Sequence, residues 1–253
     1  MRILYQFPLS HFCEKARWLL DYKELDYVAQ NLTPIVHRAF SRLKTKQNTL
    51  PILKDNDLWI HDSTKIAEYL DEIYPEKILI PQNRSLKESI YNFNNIANEL
   101  GEHVRRWTLQ NIILIDQKSI DNMINERGYL RKFEKYSKPV LKKLISQSLH
   151  LSDEQMKYDH HRIIEIIEML NIQLKNAHKG YLVGEHLTLA DISICSMLAP
   201  LMNIYGTPWE IGESKQSQEL LDMQMFIQST AIGQYVQRIY NTERNARIDW
   251  RGI

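Results

Sequence analysis

The first 75 residues alternate short apolar runs with helical patterns in an order that few folds can use. Residues 2 to 7 (Arg-Ile-Leu-Tyr-Gln-Phe) are apolar and aromatic, stop at Pro8 and read as a buried strand. From Ser10 the pattern changes. Phe12, Ala16, Leu19 and Leu20 recur at helical spacing with Glu14, Lys15 and Arg17 between them, and Ser10 is a natural N-cap. Residues 26 to 31 read as a second strand, and 34 to 44 as a basic helix opened by Pro34. Strands at 50 to 54 and 58 to 61 flank Asp55-Asn56-Asp57, which the spacing predicts as a three-residue hairpin loop. A third helix carries Ile66, Ala67, Leu70 and Ile73 on one face and stops before Pro75. The order is βαβ, then ββα. A crossover followed by a hairpin and a helix describes an α/β, thioredoxin-like layer.

Beyond it the chain reads as helix. Glycine is 8 of 253 residues, below the usual share of about 7%, and few glycines among many Ile, Leu, Lys and Glu favour helices. Pro81, Gln82, Asn83 and Arg84 mark a linker within 76 to 86. Helices are predicted over about 86 to 114, then less regularly through the Lys-rich residues 118 to 149. Another runs from 152 to 178, opened by Ser152-Asp153-Glu154-Gln155 and striped by Ile163, Ile166, Ile167, Leu170 and Leu174. Thr188-Leu189-Ala190-Asp191 is a second box-like start, and the final helices cover roughly 217 to 243. The predicted division is an α/β domain at 1–78, a linker at 79–86 and an all-helical domain at 87–253, with an extra segment near 118–149.

Composition removes several function classes. The net charge is +1, from 32 basic and 31 acidic residues, without the clustered basic excess of a nucleic-acid binder. No apolar run approaches the roughly 20 residues that span a bilayer, and the first residues read as a strand rather than a leader. The two cysteines, Cys13 and Cys195, lie far apart and form no disulfide framework or metal-ligand spacing. The expectation is a reduced, cytoplasmic protein with no metal, nucleic-acid or membrane partner.

Three places carry candidate chemistry. Ser10 opens a helix, where its hydroxyl can cap the first turn or donate to a bound thiolate favoured by the helix dipole. A free thiol ionises near pH 8.5, and such a setting lowers that value. Cys13, three residues on, completes Ser-x-x-Cys where redox relatives of this layer carry Cys-x-x-Cys; with serine at the attacking position, two-cysteine exchange is disfavoured, and Cys13 reads as a small packed residue. Pro51 follows Leu50 at a strand start, where it is either an ordinary edge proline or a cis turn that frees the Leu50 backbone for an extended ligand. Asp62 and Ser63 open the third helix, able to cap it or to meet the amino and carboxylate groups of a γ-glutamyl end.

In this order, around this βαβ-ββα pattern and with helices behind it, these residues resemble the glutathione S-transferase family over nearly the whole chain, in a serine-type, bacterial-like cytosolic form. The resemblance implies glutathione as co-substrate and a small electrophile as second substrate. It makes Ser10 the catalytic serine. Glutathione would be held by Ser10, His11 and Phe12, by Leu50-Pro51 as the cis-proline turn at the cysteinyl backbone, and by Asp62-Ser63 at the γ-glutamyl end. It implies a homodimer, and an electrophile pocket against the first helix of the second domain, drawn from Leu9, His103, Arg106 and Trp107. Spacing puts His103 and Trp107 on one face. Gly184 to Asp191 looks like the family's C-terminal folding motif, with Thr188 and Asp191 serving stability. Lys44, Lys46 or Gln47 would meet the glycine carboxylate, since Thr49 stands where many classes have Gln or Lys. Asp62 stands where glutamate is commoner, and His11 where a small residue or proline is frequent. Tyr5 is the reserve thiol activator, and His160-His161 reads as surface. Two other functions fit the same fold: a non-catalytic binding or scaffold protein, and a glutathione-dependent reductase or peroxidase working through Cys13.

Overall fold

The computed structural model describes residues 1–33, 36–109, 111, 152–175, 180–210 and 217–253. In chain order it forms β1 (Arg2–Gln6), α1 (His11–Tyr22), β2 (Val28–Asn31), α2 (Val36–Thr45), β3 (Ile52–Asp55), β4 (Leu58–His61) and α3 (Ser63–Ile73). The helical half continues with α4 (Arg84–Thr108), α5 (Asp153–Leu174), α6 (Leu189–Leu198), a short 3-10 turn (Ala199–Leu201), α7 (Gln218–Ser229) and α8 (Ala231–Glu243). The sheet order is β2-β1-β3-β4, with β1 parallel to β2 and antiparallel to β3, and β3 antiparallel to β4. This is the expected thioredoxin-like layer succeeded by helices. The extra segment expected near 118–149 lies outside the described residues.

The hairpin differs from expectation by one residue. Asp55 pairs with Leu58 as the last residue of β3, leaving a two-residue loop. Its carboxylate is drawn inward, accepting from Arg2 Nε (3.1 Å), Tyr74 Oη (2.7 Å) and Tyr69 Oη (3.3 Å). Those bonds hold in the ladder a residue whose type favours turns.

The larger surprise is α1. Charged residues lie between its apolar ones, yet ten of its twelve residues are buried, including Glu14, Lys15, Arg17 and Asp21. The helix is packed by β1, α3, α4 and α6 together, so no face is left for water and each charge needs an internal partner. Arg17 donates to Glu14 Oε2 (2.9 Å) and to Gln6 Oε1. Arg244, just past α8, donates from Nε to Glu14 Oε1 (2.8 Å) and from Nη1 to Asp21 Oδ2 (2.7 Å). Burial alone would raise the Glu14 carboxyl, but the guanidiniums of Arg244 and Arg17 outweigh it and hold it at about 2.

Beyond Arg244 the chain returns to the sheet. Ile253 N donates to Ala29 O (2.9 Å) and Ile253 O accepts from Asn31 N (2.8 Å), covering the free edge of β2. The segment between the halves is also pinned. Asp71 accepts from the amides of Leu79 and Ile80 and pairs with Lys23 at 2.6 Å, and Leu79 is fully buried. In α4, Gly101 is required by close approach: a Cβ there would lie 2.4 Å from Met197 Sδ and 2.8 Å from Phe12 Cζ. α6 is buried throughout, and Asp191 Oδ2 accepts from both the amide and the hydroxyl of Thr188.

Two stability outcomes are expected. Arg244→Met leaves Glu14 and Asp21 short of a buried partner and should cost about 3–5 kcal/mol in denaturant unfolding. Glu14 contributes stability above its ordinary value of 4.5 and loses it as pH falls through about 2. With one guanidinium gone its folded-state value rises, so acid unfolding of the variant should begin at higher pH; an unshifted acid midpoint would contradict this account. Gly101→Ala, which on an open helix would stabilise by about 1 kcal/mol, should instead destabilise by about 1–3 kcal/mol through overpacking, read as a lower Tm.

Candidate functional site

Strand register brings the three candidate places together. Tyr5, Ile52 and His61 stand in one row across β1, β3 and β4. The chain leaving β1, the chain entering β3 and the chain leaving β4 therefore meet at one end of the sheet: Phe7 to Ser10, Leu50-Pro51, and Asp62-Ser63. β2 runs parallel to β1, so the chain entering α2 leaves from the same end.

Ser10 is extended (φ −91°, ψ 121°) and half-buried, and caps α1 by accepting from Cys13 N at 3.3 Å. Accepting that bond leaves the hydroxyl proton free to donate. The amides of His11 and Phe12, the next two, have no partner among the described residues, so a donor hydroxyl and two helix-end amides share one place. The Leu50–Pro51 peptide is cis, and Pro51 O accepts from Asp62 N at 3.3 Å. The ladder begins at Ile52, leaving Leu50 outside it. Asp62 has φ +71°, a costly conformation for a side-chain-bearing residue, and its Oδ1 accepts from Thr64 N (2.8 Å) and Lys65 N (3.2 Å). One carboxylate oxygen of Asp62 thus serves as helix cap. Ser63 is buried, and its hydroxyl has no partner among the described residues.

Other candidates point elsewhere. His11 Nε2 lies 2.9 Å from Gly101 O, which accepts from it, and burial, reinforced by Arg105, pushes the ring down to about 3. The neutral side chain joins α1 to α4, and only its backbone faces the helix end. Phe12 packs on Gly101 beside it. His103 and Arg106 both turn to α5: Asp159 Oδ1 lies 2.6 Å from His103 Nδ1 and accepts from Arg106 Nη2 at 2.6 Å, while Oδ2 accepts from Arg106 Nε at 2.8 Å. Trp107 is buried nearby. At about 100° per residue, His103 lies some 200° around α4 from Gly101, the residue that meets α1. The structure therefore brings His103, Arg106 and Trp107 to a helix seam and not to the Ser10 end of the sheet, whereas Leu9 precedes Ser10 in the loop. Tyr5 stands under α2 in an aromatic group, its ring 4.7 Å from Phe40 and 5.6 Å from Trp59, and burial raises its hydroxyl. Lys44 Nζ sits over Trp59 at 4.9 Å; Lys46 and Gln47 are exposed, as are His160 and His161. Cys13 is fully buried, and burial pushes its thiol up.

Two residues not singled out by sequence stand at this end. His37 of α2 packs edge-on against Phe7, with ring centroids 4.7 Å apart, and its buried Nδ1 has no hydrogen-bond partner among the described residues. Lys15 is fully buried, donating to Thr64 Oγ1 (3.1 Å) and Asn94 Oδ1 (2.6 Å). Its spacing was a signal: Lys15 lies three residues after Phe12 and four before Leu19, inside the apolar stripe itself. Among the described residues, no group of three or more His, Cys, Asp or Glu could hold a metal ion, and no helix is long and apolar enough to cross a membrane.

Comparison with known proteins identifies the family and the fold. The family model described as glutathione S-transferase, N-terminal domain, matches residues 4–78, and the corresponding C-terminal domain model matches 138–237. The chain is 26% identical over 206 residues to glutathione S-transferase 1 of Dianthus caryophyllus, covering 80% of this chain and 78% of that one. It is 24% identical over 198 residues to a probable maleylacetoacetate isomerase of Vibrio cholerae, covering 76% and 77%. Among solved structures, a glutathione S-transferase of Ceriporiopsis subvermispora in complex with glutathione superposes with a TM-score of 0.64 at 18% identity over 98% of both chains. With both domain models matched in order over more than half of its length, the chain belongs to the glutathione S-transferase family.

Proposed function

We propose that this protein is a glutathione transferase that activates the glutathione thiol for attack on a small electrophile. The reading is carried by one observation: Ser10, the cis Leu50–Pro51 turn and Asp62-Ser63 converge at one end of the sheet with hydrogen-bonding groups left over. The Leu50 backbone, outside the ladder, takes the cysteinyl residue in extended form. The Ser63 hydroxyl and the first turn of α3 take the γ-glutamyl carboxylate, and the second oxygen of Asp62 faces the amino group. On α2, His37 replaces the lysines as the candidate for the glycine carboxylate, since Lys44 is engaged with Trp59.

The cysteine sulfur then lies at the N-terminus of α1. The Ser10 hydroxyl donates to the thiolate, and the His11 and Phe12 amides add partial positive charge. Both effects lower the thiol's proton affinity and raise the thiolate fraction near neutrality. The thiolate pair forms a C–S bond to the electrophilic carbon, whose leaving group departs with its bonding electrons. The electrophile stands against Leu9, Phe12 and the Gly101 face of α4, not against His103 and Arg106, whose hydrogen bonds go to Asp159. Cys13 is no rival nucleophile, being buried and protonated. A cytoplasmic homodimer is part of the same reading.

Ser10→Ala should lower kcat/KM with glutathione and an activated aryl halide by about 10²–10³-fold, as for loss of one donor to a developing anion, while glutathione binding by calorimetry stays near wild type. Unchanged turnover would remove Ser10 from the mechanism. The double variant Asp62→Ala, Ser63→Ala should weaken glutathione at least about tenfold. A wild type that binds no glutathione at millimolar concentration would favour the non-catalytic scaffold reading instead.

A further inference from the structure

Lys15 is a fully buried ammonium whose hydrogen-bond partners among the described residues are neutral. Among the described residues no carboxylate lies within ion-pair distance of Nζ; its partners are Thr64 Oγ1 and Asn94 Oδ1, and its third donor has none. Asn94 also accepts from Ser193 Oγ of α6 at 2.9 Å, and its Nδ2 donates to Thr64 Oγ1 at 3.2 Å. Four elements, α1, α3, α4 and α6, thus close on one cation through neutral groups. An uncompensated buried charge is costly, and methionine would fill the same space without that cost. Such a charge is explained if an anion arrives to complete it.

The position says which anion. Thr64 is the second residue of α3, next to Ser63 and within the turn capped by Asp62. Lys15 therefore lies behind the turn that, in the reading above, receives the γ-glutamyl carboxylate. We propose that Lys15 is a positioning residue for that carboxylate: through Thr64 and Asn94 it sets the first turn of α3, and from behind the turn it supplies the positive charge that the bound anion offsets. The inference rests on glutathione as the ligand.

Linkage gives it a distinctive signature. Burial pushes the ammonium down to about 7 against the pull of Asp62 and Glu68. Those are the charges of α3 that reach it. α4 contributes the Asn94 amide and α6 the Ser193 hydroxyl. Asp191 of α6 is engaged with Thr188, Leu182 and Tyr235, and Glu14 of α1 with Arg17 and Arg244. An anion favours the protonated form and raises its value in the complex, so affinity is full below about 7 and is lost as pH rises from there through the higher value of the bound state.

The test uses S-methylglutathione, whose sulfur cannot ionise, titrated calorimetrically into the whole protein between about pH 6 and about pH 9. Wild-type affinity should fall by about tenfold across this range, one pKa unit of coupling being a factor of ten. Lys15→Met should bind more weakly than wild type at low pH and keep only the loss above about pH 8 that the ligand's own amino group causes in both proteins. Its KM for glutathione should rise by about tenfold with kcat at saturation little changed. A merely structural lysine would lower Tm without altering the pH profile. Equal affinity and equal profiles in the two proteins would overturn the proposal while leaving the glutathione reading intact. If the methionine variant does not fold, the wild-type profile decides, and one that shows only the loss above about pH 8 overturns the proposal. Absence of any S-methylglutathione binding to wild type would overturn the glutathione reading and this inference together.

Discussion

The structure depends on the burial of α1 from every side. A helix packed by β1, α3, α4 and α6 cannot move without disturbing the sheet and the helical half at once. Its charges are anchored from distant places: Glu14 and Asp21 by Arg244 at the far end of the helical half, Lys15 by Thr64 and Asn94. Each is a buried ion that would be expensive alone and becomes tolerable through directed partners. The same bonds fix where the helix begins, and the N-terminus of α1 is where Ser10 must stand.

Such a seam explains why the site is built at one end of a small sheet rather than within either half. The ladders set Tyr5, Ile52 and His61 in a row, so three chain segments emerge together. Among the described residues, α1 leaves the His11 and Phe12 amides unpaired at that end, and α3, whose Thr64 and Lys65 amides Asp62 caps, leaves the Ser63 hydroxyl. α4 closes the far side through Gly101, where the lack of a Cβ lets Phe12, His11 and Met197 approach. A strained Asp62 and a lone ammonium are both local costs at this end, and the rigid packing behind them is what holds them in place.

Much of this was legible in the sequence because it rests on local rules. Period-2 and period-3.6 patterning located the strands and helices, and Ser10, Ser152 and Thr188 each start a helix as their residue types suggest. Leu50-Pro51 and Asp62-Ser63 were found through turn and cap chemistry in the right order. What local rules do not carry is direction around a helix once every face is buried. Nothing in the spacing of the α1 charges announces that they are buried, and His103 and Arg106 are assigned to a pocket by the family resemblance, without sight of their partner. Asp159, 53 residues beyond Arg106, is the partner that turns them to α5, and no spacing within α4 announces it. Asp55 was placed in a loop by its type, before Arg2, Tyr69 and Tyr74 could be known to hold it in the strand.

The two groups of buried charge differ in whether the charge is matched. Around Glu14 every cation faces an anion: Arg17 and Arg244 on one side, Glu14 and Asp21 on the other. The group is self-neutralised, and its Glu14 carboxyl is held far below its ordinary value. Around Lys15 the partners are an amide and hydroxyls, and the ammonium is pushed toward neutrality instead. Both lie on one helix, one residue apart, under the same packing. A network that only braces the fold gains nothing from an unmatched charge, since burying one raises the cost of folding and leaves no contact that a neutral residue could not replace. In the reading proposed above, the unmatched charge of Lys15 answers an anion that comes and goes at the first turn of α3.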